Sequence, residues 1–142
     1  MGWIEEHSPS EVSDKYSQPL GDMIKDSDQT LLRILHYPPL KGDEEVDAIR
    51  AAAHEDINLI TILPAANEPG LQVKAKDGSW IEVPCDFGNL IVNIGDMLQE
   101  ASGGYFPSHT CKSAFVSWAL YKLSSFCSVI LLPQLVCGFF FI

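Results

Sequence analysis

Short apolar runs rich in β-branched residues recur along the first two thirds of this chain, bounded by Gly, Pro, Asn or Asp. Runs of this length and composition are typical of strands rather than helices. Between two of the runs stands Asp77-Gly78, a dipeptide that favours a tight hairpin turn. The pattern therefore predicts a mainly β protein, with strands at residues 31–37, 57–63, 70–75, 79–83 and 89–94.

Two other segments carry a different pattern. Residues 1–30 are polar and contain Pro9, Pro19 and several Ser and Asp, which predicts short helices and loops that cover the sheet. Residues 97–102 predict a short helix or turn after the strand at 89–94. We therefore expect short N-terminal helices followed by a sheet.

A His and an Asp stand two residues apart at the start of the apolar run 57–63, as His54 and Asp56. In an extended chain, residues i and i+2 point to the same side. An imidazole and a carboxylate on one side supply two of the three ligands of the 2-His-1-carboxylate triad that suits non-haem Fe(II). From these residues alone, a solvated strand end is the alternative interpretation.

Six sequence blocks, which follow one another in order, add to the evidence from His54 and Asp56. The blocks are residues 31–39, 48–63, 70–73, 77–84, 90–99 and 103–108. Together they resemble the core of the isopenicillin N synthase-like, 2-oxoglutarate-dependent Fe(II) dioxygenase family, over roughly residues 20 to 108. The resemblance implies a partial double-stranded β-helix, which is a cupin-like jelly roll. It also implies that residues 46–53, although rich in helix formers, are extended on their approach to the iron.

The same resemblance implies cofactors and roles for individual residues. His54 and Asp56 match the first two iron ligands of the family. Tyr37 matches a tyrosine that contacts the carboxylate of 2-oxoglutarate, although it could equally be a turn aromatic packed on Pro38 and Pro39. The implied activity is that of an oxidoreductase. It uses Fe(II) and 2-oxoglutarate to oxidise an unknown small organic substrate, and it releases succinate and CO2.

The third iron ligand departs from the family pattern. By spacing it falls on Cys111, whose thiolate could bind a divalent metal. His109 lies two residues earlier, and a bulge could bring it to the metal instead. In a third alternative neither residue reaches the ion. The Arg-x-Ser pair that clamps 2-oxoglutarate in the family has no counterpart here, so we expect impaired turnover. The alternative function is an inactive β-sheet module with an apolar segment that binds a membrane or a partner.

The chain changes character near residue 111. All of its acidic residues lie at or before Glu100, and residues 123–142 carry no charge. We therefore divide the chain into a covering segment (1–30), a partial dioxygenase core (31–110) and an atypical apolar tail (111–142). The length of residues 123–142 would suit a membrane span, although Pro133 and Gln134 make it a poor one. A frameshift or unspliced intron after the Ser108 codon would also produce such a tail.

Composition narrows the possible partners. The formal net charge of -10 argues against nucleic acid, because phosphate binding needs a basic face. Residues 1–6 have neither a basic start nor an apolar core, unlike a signal peptide. The four cysteines lack metal-pair spacing and are expected to be free thiols in a cytoplasmic protein. They are Cys85, Cys111, Cys127 and Cys137.

Overall fold

The computed structural model describes residues 1–28, 30–37, 51–64, 69–84, 86, 88–113 and 124–131, and for residues 35–37 and 124–131 it describes the backbone alone. The helices are α1 (Gly2–Glu6), α2 (Ser10–Ser13), α3 (Leu20–Ile24) and α4 (Asp96–Ala101). The strands are β1 (Leu31–Tyr37), β2 (Ala51–His54), β3 (Ile60–Pro64), β4 (Leu71–Lys74), β5 (Trp80–Glu82), β6 (Leu90–Ile94), β7 (Cys111–Ser113) and β8 (Ser124–Leu131). The predicted mainly β class with short N-terminal helices is confirmed.

The eight strands form two antiparallel sheets of four. One sheet has the order β1-β8-β3-β6, and the other has the order β2-β7-β4-β5. The strand pairs are nested, because the first strand pairs with the last, the second with the seventh, the third with the sixth and the fourth with the fifth. Apart from the β4–β5 hairpin, successive strands lie in alternate sheets, and this is the arrangement of a jelly roll.

The last two strands come from the segment predicted as an apolar tail. β7 lies between β2 and β4, and β8 lies between β1 and β3. In the second case Leu32 and Ile62 both pair with Val129. β8 is thus a central strand, paired with β1 along most of its length and with β3 over residues 129–131. No helix among the described residues is long and apolar enough to cross a membrane, and residues 132–142 lie outside the described part.

The predicted hairpin at Asp77-Gly78 joins β4 and β5. Gly78 has a φ of +86°, a left-handed value that glycine adopts without a steric penalty. Asp77 Oδ1 accepts hydrogen bonds from the Ser79 backbone N–H at 2.9 Å and from the Ser79 hydroxyl at 2.6 Å. These two hydrogen bonds hold the pKa of the Asp77 carboxyl below its usual value of 3.8.

The described core lies where the N-terminal helices meet β3 and α4. Leu20 and Leu98 are fully buried, and Leu59 is 1% exposed. Partly buried side chains of β3, β6 and the helices, Ile62 and Ile94 among them, pack around this cluster. Leu20 and Met23 of α3 are therefore in contact with the start of β3 through this cluster.

Tertiary contacts determine where β3 begins and why residues 51–54 form a strand. β3 begins at Ile60 and not at residue 57, because Asn58 and Leu59 are held in a bend by the segment before α4. The carbonyl of Leu59 accepts the Gly95 N–H, and that of Asn58 accepts the Met97 N–H. β2 is a strand despite its three alanines, as the family resemblance implies, because β7 supplies its hydrogen-bond partners.

Candidate metal centre

His54 ends β2 with its ring orientation fixed by the backbone. Its Nδ1 lies 2.8 Å from the carbonyl oxygen of Ala52. A carbonyl can only accept a hydrogen bond, so Nδ1 carries the proton and Nε2 of the neutral imidazole keeps its lone pair. Nε2 is therefore the atom of His54 that is available to a metal ion. A backbone carbonyl is a common second partner of a metal-ligating histidine.

Asp56 lies in the connection between β2 and β3, and so between the two sheets. Its Oδ2 accepts hydrogen bonds from the Thr61 hydroxyl at 2.6 Å and from the Asn93 amide at 2.7 Å. Thr61 and Asn93 face each other across the β3–β6 pair. The two donors occupy one carboxylate oxygen and turn the other, Oδ1, to within 3.6 Å of His54 Nε2.

The buried residue Asn58 supports Asp56 indirectly, through Thr61. Asn58 is 3% exposed, and its amide nitrogen donates to the Thr61 hydroxyl oxygen at 2.9 Å. Thr61 must then donate its own hydroxyl proton to Asp56, so the direction of the hydrogen-bond chain is fixed. A Cβ atom at Gly95 would collide with the backbone carbonyl of Asn58. Glycine at position 95 therefore lets the two segments approach closely enough to hold Asp56 in place.

Cys111 is brought to His54 by strand pairing. The two residues are direct partners in the irregular β2–β7 ladder, and Cys111 Sγ lies 3.8 Å from His54 Nε2. Burial raises the pKa of the Cys111 thiol to about 11, and the negative charge of Asp56 adds to the rise. The thiol is therefore protonated at neutral pH in the metal-free protein, and its proton leaves when a metal ion binds.

The three candidate ligand atoms of His54, Asp56 and Cys111 all lie within 4.8 Å of one another. They are a nitrogen lone pair, a carboxylate oxygen and a sulfur, all electron-rich. Two come from the neighbouring strands β2 and β7 of one sheet, and the third comes from the connection that leads to the other sheet. Such a set is stabilised by a cation placed between its members. The residues present thus fit a divalent metal ion, which one imidazole, one carboxylate and one thiolate can bind.

The two other predicted site residues are His109 and Tyr37. His109 is exposed and does not belong to this group. It precedes β7 in an irregular segment, so the same-side rule for residues i and i+2 of a strand does not apply to it. The backbone of Tyr37 pairs with Ser124 at the end of β1, and its side chain lies outside the described part. Contact of Tyr37 with 2-oxoglutarate therefore stays a prediction.

Sequence reasoning did not identify Asn58, Thr61 or Asn93 as residues that support the site. One signal could have found two of them. Thr61 and Asn93 each interrupt an apolar strand, in Ile-Thr-Ile and Val-Asn-Ile. Polar residues inside buried strands need hydrogen-bond partners, and a carboxylate close in sequence to Thr61 is the natural candidate.

A jelly roll with a histidine and an oriented aspartate at the junction of its two sheets has a side-chain set that fits a metal ion. Comparison with known proteins makes this more specific, because the profile of the 2OG-Fe(II) oxygenase superfamily matches residues 28–110. The chain belongs to this superfamily, as the sequence resemblance implies.

Individual relatives agree with this membership. The chain is 37% identical over 99 residues to gibberellin 2-beta-dioxygenase 2 of Arabidopsis thaliana, covering 69% of this chain and 28% of that protein. A crystal structure of a protein from Shewanella oneidensis assigned as an oxygenase matches with a TM-score of 0.85 and 62% identity, over 93% of this chain and 48% of that one. T7H of Neurospora crassa in complex with alpha-KG matches with a TM-score of 0.71 and 25% identity, over 79% and 36%. The chain thus spans less than half the length of each.

Proposed function

We propose that this chain is the metal-binding core of an oxidoreductase of the 2-oxoglutarate- and Fe(II)-dependent dioxygenase type. The observation that carries the proposal is the orientation of His54 and Asp56. Each has one polar atom hydrogen-bonded to the protein, and their free atoms Nε2 and Oδ1 face each other at 3.6 Å. Membership of the 2OG-Fe(II) oxygenase superfamily supports the choice of metal and cosubstrate.

The protein's share of this function is binding and orientation. His54 and Asp56 would hold Fe(II), and Thr61 and Asn93 would keep the carboxylate aimed at it. When bound, Fe(II) and 2-oxoglutarate supply the oxidising power that side chains lack. We assign Tyr37 to the cosubstrate carboxylate, where a hydrogen bond to a charged group contributes about 1.5–3 kcal/mol. Tyr37→Phe should therefore weaken 2-oxoglutarate binding by roughly tenfold to a hundredfold.

We place the substrate among small organic molecules. The relatives support this breadth, since one is named for gibberellin and T7H is described in complex with alpha-KG and thymine. The net charge of -10 speaks against a nucleic-acid substrate. A cytoplasmic location is part of the proposal, because a free thiol at the site persists in a reducing compartment. Fractionation of cells that express the protein tests the location.

The test of the function is anaerobic titration of the Fe(II)-loaded protein with 2-oxoglutarate, followed by admission of air. Binding of the 2-oxo acid to Fe(II) gives a visible charge-transfer absorption, and turnover gives succinate. We expect the absorption in the native chain and its loss in His54→Ala. His7→Ala is the matched control, because His7 is an exposed residue that follows α1 and is not part of the candidate metal centre. Succinate formation should be slow, because residues 111–142 contain no arginine. Absorption that is absent, or equal in the native chain and His54→Ala, would contradict the proposal.

A further inference from the structure

The third position of the metal centre is occupied by a sulfur. Cys111 Sγ is set opposite His54 by the β2–β7 ladder, so backbone pairing, and not a flexible side chain, places it there. A thiolate is a soft ligand, and soft ligands favour Zn2+ over harder ions. We propose that His54, Asp56 and Cys111 form a thiolate-containing site that binds Zn2+, with a water as fourth ligand, in preference to Fe(II).

The spacing of the ligand atoms points to the same ion. In a tetrahedral Zn2+ site with bonds of about 2.1 Å to nitrogen and oxygen and about 2.3 Å to sulfur, ligand atoms are about 3.4 Å (N–O) and about 3.6 Å (N–S) apart. Right angles, as on an octahedral face, would reduce these spacings to about 3.0 and 3.1 Å. The observed separations are 3.6 Å from His54 Nε2 to Asp56 Oδ1 and 3.8 Å from His54 Nε2 to Cys111 Sγ. Both observed separations are closer to the tetrahedral values than to the right-angle values.

This inference rests on the proposed function, since it concerns the same site, and it adds a consequence for regulation. Zn2+ has no redox chemistry and binds most nitrogen, oxygen and sulfur sites more tightly than Fe(II). Zn2+ on His54, Asp56 and Cys111 would hold the protein in a form that does not oxidise substrate. The identity of the bound metal would then decide whether the site is active.

The test uses Co2+ as a spectroscopic substitute for Zn2+, because a cobalt–thiolate bond gives an intense near-ultraviolet charge-transfer band. We expect the native chain to show the band with Co2+ and to lose it when Zn2+ is added. Anaerobic competition should show Zn2+ binding at least about tenfold more tightly than Fe(II). Cys111→Ser should abolish the band and weaken Zn2+ binding by at least about tenfold, the loss that even outer-shell changes cause.

The other cysteines provide the matched control. In a variant that combines Cys85→Ser, Cys127→Ser and Cys137→Ser, Cys111 is the sole remaining thiol of the chain. This variant should keep the band, and it assigns the sulfur even when Cys111→Ser does not fold. A native chain without the band at saturating Co2+, or a band that survives in Cys111→Ser, would overturn the inference.

A second substitution separates this inference from the proposed function. Cys111→His should lose the thiolate band and shift the metal preference toward Fe(II). An Fe(II)–2-oxoglutarate absorption that depends on His54, in a native chain without the cobalt–thiolate band, would overturn the inference alone. A cobalt–thiolate band in a protein that never binds 2-oxoglutarate, even as Cys111→His, would support the Zn2+ site and overturn the proposed function.

Discussion

Replacing Thr61 by valine tests the hydrogen-bond chain that supports the metal centre. Thr61 is 9% exposed and Asn58 is 3% exposed. The change keeps the side-chain shape but removes the hydroxyl that accepts from Asn58 and donates to Asp56. A buried N–H left without an acceptor costs about 1–3 kcal/mol, and a hydrogen bond to a carboxylate contributes about 1.5–3 kcal/mol. Because the Asp56 side chain is 21% exposed, water replaces part of the stabilisation that the Thr61–Asp56 hydrogen bond provides. We expect a loss of about 2–4 kcal/mol in the free energy of unfolding.

The same substitution should weaken metal binding by about 10- to 100-fold, because Asp56 Oδ2 keeps one of its two donors, Asn93. Urea unfolding of the chelator-treated protein measures the first effect, and calorimetric titration with Co2+ measures the second. Thr61→Ser is the matched control, since it retains the hydroxyl and should stay close to the native chain in both measurements. Valine and serine variants with equal stability and equal affinity would refute the proposed role of the hydroxyl.

Three further changes test other parts of the structure. Leu98→Ala, at a fully buried core position, should lower the free energy of unfolding by about 2–5 kcal/mol in urea titrations; a loss below 1 kcal/mol would contradict the core described above. Gly95→Ala should destabilise the protein by about 1–3 kcal/mol and weaken Co2+ binding, because its Cβ displaces Asn58; calorimetry showing native affinity would count against that contact. Asp77, with its lowered pKa, stabilises the fold above the usual Asp pKa and loses this effect as the pH falls through the folded value. Asp77→Asn should therefore flatten the acid limb of the stability profile, and an unchanged limb would show that the Ser79 hydrogen bonds do not persist in solution.

Local signals account for much of the fold. The strand at 31–37 and the hairpin at Asp77-Gly78 follow from composition and turn chemistry, and both are present. β2 could not be derived in this way, because its alanines favour a helix and its partner β7 lies more than fifty residues away in sequence. β8 could not be predicted from local sequence either, because an uncharged apolar run does not reveal whether it pairs with a sheet or crosses a membrane.

In the candidate metal centre, too, some contacts follow from local sequence and others depend on the tertiary fold. His54 and Asp56 are only two residues apart in sequence, so their proximity could be anticipated, although Asp56 lies just beyond the end of β2. The choice between His109 and Cys111 depended on the residue at which β7 begins, which is set by pairing with β2 and β4. The support from Asn93 spans 37 positions of sequence. Contacts of this range are a property of the tertiary fold, which no local pattern encodes.

Binding of one divalent metal ion by His54, Asp56 and Cys111 together can be observed in a crystal structure of the protein grown with Zn2+, with anomalous scattering measured at the zinc edge. We expect one anomalous peak at about 2.0–2.2 Å from His54 Nε2 and Asp56 Oδ1 and about 2.3 Å from Cys111 Sγ. A peak bound to other residues, or no peak beside these three atoms at saturating Zn2+, would contradict it.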